Sequence, residues 1–236
     1  MSHRDSAFPP ADQSSALPAG CCWLCVGKLL VRPFCGKTQG GFKLSCLVCS
    51  LTGFVYAPRL DLQGVETLRR LQRMLLDPEG HEAYAQILAS YAQPFDLAVE
   101  ECLPHRDHVV RLRAAPPAKK GKPKALAVQP EGSNDLGYCP LCADLAVLRP
   151  YLSHLDGGFT MYCQACNLRA FTASTSRNAL GLEHLRRQQR MLQDPRARAA
   201  YVEALELYQD PRDPEVEAVL PSYDLVRRLR ELRAAS

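Results

Sequence analysis

Eight of the eleven cysteines in this 236-residue chain fall into four Cys-x2-Cys pairs. They are Cys22 with Cys25, Cys46 with Cys49, Cys139 with Cys142, and Cys163 with Cys166. Two thiolates three positions apart fit on one tight turn and bind the same ion. A second such turn, brought back by a hairpin, completes a tetrahedron of sulfurs with metal–sulfur bonds of about 2.3 Å. Cys-x2-Cys, about twenty residues, then Cys-x2-Cys is the spacing of a zinc site. Soft thiolates select zinc or iron over hard cations. Four thiolates leave no coordination position open, which marks a structural rather than a catalytic metal. The expected cofactors are two Zn2+, one per four-cysteine site.

Other cysteine chemistries fit less well. A redox pair needs one Cys-x2-Cys ahead of a helix, whereas here four pairs come in matched sets. Haem attachment needs a histidine after the second cysteine, and those positions hold Val26, Ser50, Ala143 and Asn167. Iron in rubredoxin-like four-thiolate turns is the alternative to zinc. The first twenty residues lack a basic start followed by an apolar block, so a cytoplasmic protein with reduced cysteines is expected. No apolar run reaches the roughly 18 residues of a membrane span.

The elements that must position these cysteines occur twice. A shift of 117 residues overlays Cys22–Arg113 on Cys139–Arg230 without a gap, with roughly 38 identities in about 92 positions. Gly40-Gly41-Phe42 falls on Gly157-Gly158-Phe159, and Asp77-Pro78 on Asp194-Pro195. Residues 1–20 read as a disordered N-terminus, 21–113 as the first copy, 114–136 as a basic Pro/Lys linker and 137–236 as the second copy. Lys119, Lys120, Lys122 and Lys124 with the surrounding prolines describe a flexible tether. Within each copy, two β-rich runs around a Gly-Gly turn predict a hairpin. Phe54 and Phe171 suit a third strand. Val65, Leu68, Leu71 and Leu75 recur at helical spacing, ended by Asp77-Pro78, and Glu79 to Ala92 reads as the next helix. A last helical piece is expected after Pro104 and after Pro221. The fold class is α+β: two similar small domains, each a four-cysteine zinc ribbon followed by two or three helices, joined by a flexible linker.

Cys139-Pro140-Leu141-Cys142, the hairpin and Cys163-Gln164-Ala165-Cys166 resemble a zinc ribbon (zinc β-ribbon). The resemblance covers about thirty residues per copy. It departs from the commoner ribbons in having no glycine directly after each turn, and in Trp23 where the second copy has Pro140. Zinc ribbons are common in the transcription and replication apparatus, so the resemblance implies nucleic-acid association.

Charge tempers that implication. The formal net charge is +4. Four thiolates and a dication carry roughly −2 per site, which brings the loaded protein to about zero. Only local patches can then attract a polyanion. Arg69, Arg70 and Arg73 form a basic ridge on the first helix, repeated by Arg186, Arg187 and Arg190. These six are the candidate nucleic-acid-binding residues, with Gln72 and Gln189 inside the ridge. A solvated face with Glu66–Arg70 and Glu183–Arg187 ion pairs competes with that reading. The C-terminal Arg227, Arg228, Arg230 and Arg233 offer a second basic edge.

Several residues read as structural. Cys21 aligns with Tyr138 and is not expected to be a ligand; Cys35 and Cys102 align with apolar residues. Tyr84, Tyr91, Tyr201 and Tyr208 lie on apolar helix faces and suit a core. Phe42 and Phe159 suit packing more than base stacking. No histidine recurs as histidine in the other copy, so none is expected to bind metal. No phosphate-binding loop, nucleophile elbow or His-Glu metal motif is present, so no enzyme is expected, and no catalytic residue, small-molecule substrate or membrane partner. The favoured reading is a zinc protein that binds nucleic acid or a polymerase-type complex. The alternative is a protein-binding adaptor or structural subunit of a larger bacterial or phage complex.

Overall fold

The computed structural model describes residues 19–35, 39–58, 63–92, 98–99, 103, 136–152, 157–174 and 180–209. The tail before residue 19, the linker through residue 135, the helical pieces after Pro104 and Pro221, Cys102 and the C-terminal arginines lie outside them.

The first half begins with a short strand, β1 (Ala19–Cys21). β2 (Lys28–Cys35) and β3 (Gln39–Cys46) form the expected hairpin, and β4 (Leu51–Pro58) follows the second cysteine pair. Helices α1 (Gln63–Leu76) and α2 (Pro78–Ser90) come next. The second half gives β5 (Leu136–Tyr138), β6 (Leu145–Leu152), β7 (Gly157–Tyr162) and β8 (Leu168–Ser174). Its helices are α3 (Leu180–Gln193) and α4 (Pro195–Leu207).

Two expectations change. The glycine pairs do not make the hairpin turns: Gly40 and Gly41 lie inside β3, opposite Cys35 and Phe34. Gly157 and Gly158 likewise lie inside β7. The second change is larger. In place of two tethered domains there is one eight-stranded antiparallel sheet, in the order β1-β2-β3-β4-β8-β7-β6-β5. The reason is the edge. Taken alone, each half would leave β4 or β8 with an open row of backbone donors and acceptors, and pairing the two strands satisfies both rows. In that seam Gly53 faces Ala170, Leu51 faces Thr172 and Val55 faces Leu168. Moving each residue by 117 positions returns the same set of pairs.

Alternation along the strands gives the sheet one dry face. Leu29, Val31, Phe42, Leu44 and Val55 point to the helices and are buried, as are Leu148, Phe159 and Met161. Val65, Leu68 and Leu71 of α1 close over them. α1 packs on β4 and α3 on β8, while α1 also meets α4 and α2 meets α3. The core therefore runs unbroken through both halves. Asp77 and Asp194 cap α2 and α4, with the following proline at the first helical position, where its missing N–H costs nothing.

Candidate metal centres

Each cysteine quartet converges. Cys22, Cys25, Cys46 and Cys49 have their sulfurs within 4.8 Å of one another, and so do Cys139, Cys142, Cys163 and Cys166. The Sγ–Sγ distances are 3.7 Å for Cys22–Cys49 and 3.5 Å for Cys25–Cys46, Cys139–Cys166 and Cys142–Cys163. A tetrahedron with 2.3 Å metal–sulfur bonds has edges of about 3.8 Å. The sulfurs thus stand near the corners of a metal tetrahedron and too far apart for disulfides. Each group can hold one metal ion, and the two groups are made of the eight cysteines singled out from the sequence.

The turns that aim the sulfurs are built from backbone. Val26 N–H donates to the Cys22 carbonyl at 2.8 Å and Ala143 N–H to the Cys139 carbonyl at 2.9 Å. Cys22 N–H reaches the Gly27 carbonyl at 2.8 Å and Cys139 N–H the Asp144 carbonyl at 2.7 Å. Val48 N–H and Leu141 N–H each point at a cysteine sulfur at 3.4 Å. The residue after each second cysteine is left-handed: Val26, Ser50, Ala143 and Asn167 have φ of 50, 59, 57 and 56°. This is the position where glycine was missed in the sequence. The turn imposes the left-handed geometry on other side chains here, at a cost in strain.

Burial and crowding prevent the thiols from behaving independently. Burial pushes the Cys139 thiol well above its ordinary range, while sulfur hydrogen bonds from Cys139 and Cys142 hold Cys163 low. A metal ion held by these sulfurs would balance the charge of four thiolates and so displace the retained protons. Cys21 behaves differently. Its thiol, pushed up to about 12 by burial and then by Cys25 and Cys46, donates to the Val26 carbonyl at 3.3 Å. It stays a protonated neighbour.

The helices lock onto these turns. Gln72 accepts from Cys21 N–H at 2.8 Å and donates to the Cys21 carbonyl at 2.9 Å. Gln189 does the same to Tyr138, at 2.9 and 2.8 Å. Each glutamine thus holds the residue just before a metal ligand and is buried in doing so. Tyr84 donates to the Trp23 carbonyl at 2.7 Å, and Tyr201 to the Pro140 carbonyl. The two tyrosine rings meet each other at 5.7 Å between centroids. Gln188 reaches from the second half to the Trp23 carbonyl at 3.0 Å and the Tyr84 hydroxyl at 2.9 Å.

The arginine ridge sits elsewhere than expected. Arg69, Arg73, Arg186 and Arg190 are 5, 6, 0 and 5% exposed, and Arg70 and Arg187 are half-buried. Arg73 donates to the carbonyls of Tyr208 and Gln209 at 3.0 and 3.3 Å, just past α4. Arg190 donates to the Tyr91 carbonyl at 3.2 Å, just past α2. The carbonyl end of a helix attracts a cation, so these arginines cap the helices of the opposite half. Arg186 bonds the Leu103 carbonyl. Glu66 pairs with Arg69 at 3.8 Å rather than with Arg70. Phe42 and Phe159 are buried in the core, as expected.

The sequence reading missed the outward face of the sheet. Lys28, Arg32, Lys43, Arg149 and Arg169 are exposed there. None of the eight strands contains an aspartate or glutamate. Two-residue alternation of cations in β2, β3, β6 and β8, without acids, was the available signal.

Compared with known family models, curated proteins and solved structures, the chain matches none. No described helix is long and apolar enough to cross a membrane.

Proposed function

We propose that this is a non-enzymatic, cytoplasmic protein in which two structural zinc ions brace a sheet that binds nucleic acid, alone or within a transcription or replication complex. Zinc suits four buried or half-buried thiols at tetrahedral spacing, and the closed donor set leaves no position for a substrate. The observation that carries the nucleic-acid reading is the segregation of charge. Five cations occupy the exposed face of the sheet, while the acids of the described residues lie on the helices and the turns. A net charge near zero does not prevent this, because a polyanion responds to the local field. The test is a titration of the zinc-loaded protein against fluorescent single- and double-stranded DNA and RNA at two salt concentrations. Micromolar or tighter binding that weakens steeply with salt is expected. Absence of binding at low salt overturns the reading.

A protein-binding adaptor is the second reading. It is favoured by Leu47 and Val48, 69 and 49% exposed at the tip of a cysteine turn. It predicts a stoichiometric protein partner that survives nuclease treatment.

A further inference from the structure

The outward face of the sheet carries aromatic rings as well as cations, and the strand register orders them. One row crosses the strands from Arg32 to Lys43, Phe54, Arg169 and Tyr162. The row beside it runs from Arg149 to Thr160, Phe171 and Thr52. Both rows pass over the β4–β8 seam without a break. Neighbouring strands lie about 4.8 Å apart, so Phe54 and Tyr162, two strands apart, stand roughly 10 Å from each other along the first row. Phe54 and Phe171 are diagonal neighbours over the seam, about 7–8 Å apart at their backbones. The first row thus interleaves π-faces with positive charge, and the second adds one cation and one ring, Arg149 and Phe171.

The rings and cations are already associated. The Lys43 ammonium lies 5.9 Å from the centre of the Phe54 ring, and the Arg169 guanidinium 5.2 Å from that of Tyr162. A cavity of about 620 Å³ opens on this face, with Phe54, Phe171, Tyr162, Arg149 and Arg169 in its wall. Half-buried rings beside exposed cations suit one polyanion in particular. Unpaired bases offer π-faces to stack, and their phosphates follow at intervals. A duplex hides those π-faces inside its stack and leaves the rings nothing to stack on.

We infer that this face is a binding site for single-stranded nucleic acid, which crosses the seam so that both halves hold one strand. Phe54, Phe171 and Tyr162 stack bases; Arg32, Lys43, Arg149 and Arg169 hold phosphates. The inference rests on the nucleic-acid reading above and adds the location, the strandedness and the stacking.

The experiment measures the binding of the zinc-loaded full chain to a fluorescent oligothymidine, to an abasic oligomer of equal length and to a duplex. It is repeated with F54A/F171A and with R149A/R169A, after zinc content and melting temperature have shown each variant folded. Oligothymidine should bind at least about tenfold tighter than the abasic strand, and F54A/F171A should remove that margin. R149A/R169A should weaken oligothymidine and abasic strand together and lower the salt slope by about 1.4. Variants that fold and bind oligothymidine like the parent overturn the location. A preference for duplex, or equal affinity for abasic strand, overturns stacking. Either result leaves the broader nucleic-acid reading standing, whereas failure of every probe removes both. If a variant does not fold, the milder F54L and F171L test the rings, with the same outcomes.

Discussion

Tyr91 donates its hydroxyl to the carboxylate of Asp194 at 2.6 Å, across the boundary between the two halves. Tyr208 returns the same bond to Asp77 at 2.6 Å. Each aspartate also caps the helix it precedes, accepting from the N–H of Gly80 or of Arg196 at 2.9 Å. The residue that starts a helix in one half therefore holds the last turn of a helix in the other. With Arg73 and Arg190 on the carbonyls beyond α4 and α2, these bonds make the helices reciprocal clamps.

The clamp predicts an alkaline limit to stability. The hydrogen bond to Asp194 raises Tyr91 to about 12, and that to Asp77 raises Tyr208 to about 12. A phenol raised in the folded state contributes stability that is complete below its unfolded value near 10. That contribution is lost as the pH climbs through about 12. The aspartates are held below their usual range, so their contribution disappears instead as pH falls through the folded value. Melting temperature should fall between about pH 10 and 12, and Y91F/Y208F should flatten that fall. An equal slope in the variant would show that the pair does not titrate with folding.

Gly64, at the start of α1, meets the opposite half at close range. A Cβ there would fall on the backbone carbonyl of Cys166, a member of the second cysteine quartet. Gly64→Ala should cost at least about 2 kcal/mol in denaturant unfolding. Gly53 in the seam is the control: an added Cβ meets nothing nearer than 3.5 Å, and its counterpart is already Ala170. Gly53→Ala should be close to neutral. Equal effects at the two sites would contradict the packing.

Val26 is a β-branched residue at φ 50°. Val26→Gly should relieve that strain and stabilise the loaded protein by about 1 kcal/mol, net of glycine's greater freedom when unfolded. A loss of stability would mean that the side chain packs better than it strains.

Much of the site was legible because ligand spacing is a local property. Cys-x2-Cys describes one turn, and a hairpin of the right length brings the next turn to it. The helix starts at Asp77 and Asp194 were legible for the same reason. The seam was not. Nothing in Leu51-Thr52-Gly53-Phe54-Val55 distinguishes an edge strand from one paired with a distant relative. The arginines misled for a related reason. Helical spacing shows that Arg69, Arg70 and Arg73 lie together, but an isolated helix cannot reveal that a second helix end will cover them. Once β4 and β8 pair, α1 must meet α4, and the ridge becomes a cap. The outward cations of the strands could have been read from alternation, but only with the strand boundaries known.

Metal loss should be felt by both halves. Trp23 sits between two ligands of the first site and is 1% exposed, and its carbonyl is held by Gln188 of the second half. Cys166→Ser, in the second site, should red-shift the emission of this single tryptophan as well as halve the zinc content. Emission that stays like the parent's would mean that the halves respond separately.

The claim on which the rest depends is the pairing of β4 with β8, because it makes the outward face continuous and brings the clamps together. Hydrogen–deuterium exchange of the zinc-loaded protein tests it most directly. Backbone amides in Leu51–Val55 and Leu168–Thr172 should exchange as slowly as those of Phe42–Leu44 in the interior strand β3. Fast exchange at alternate amides of β4 and β8, as an open edge gives, would contradict the single sheet and the binding face drawn across it.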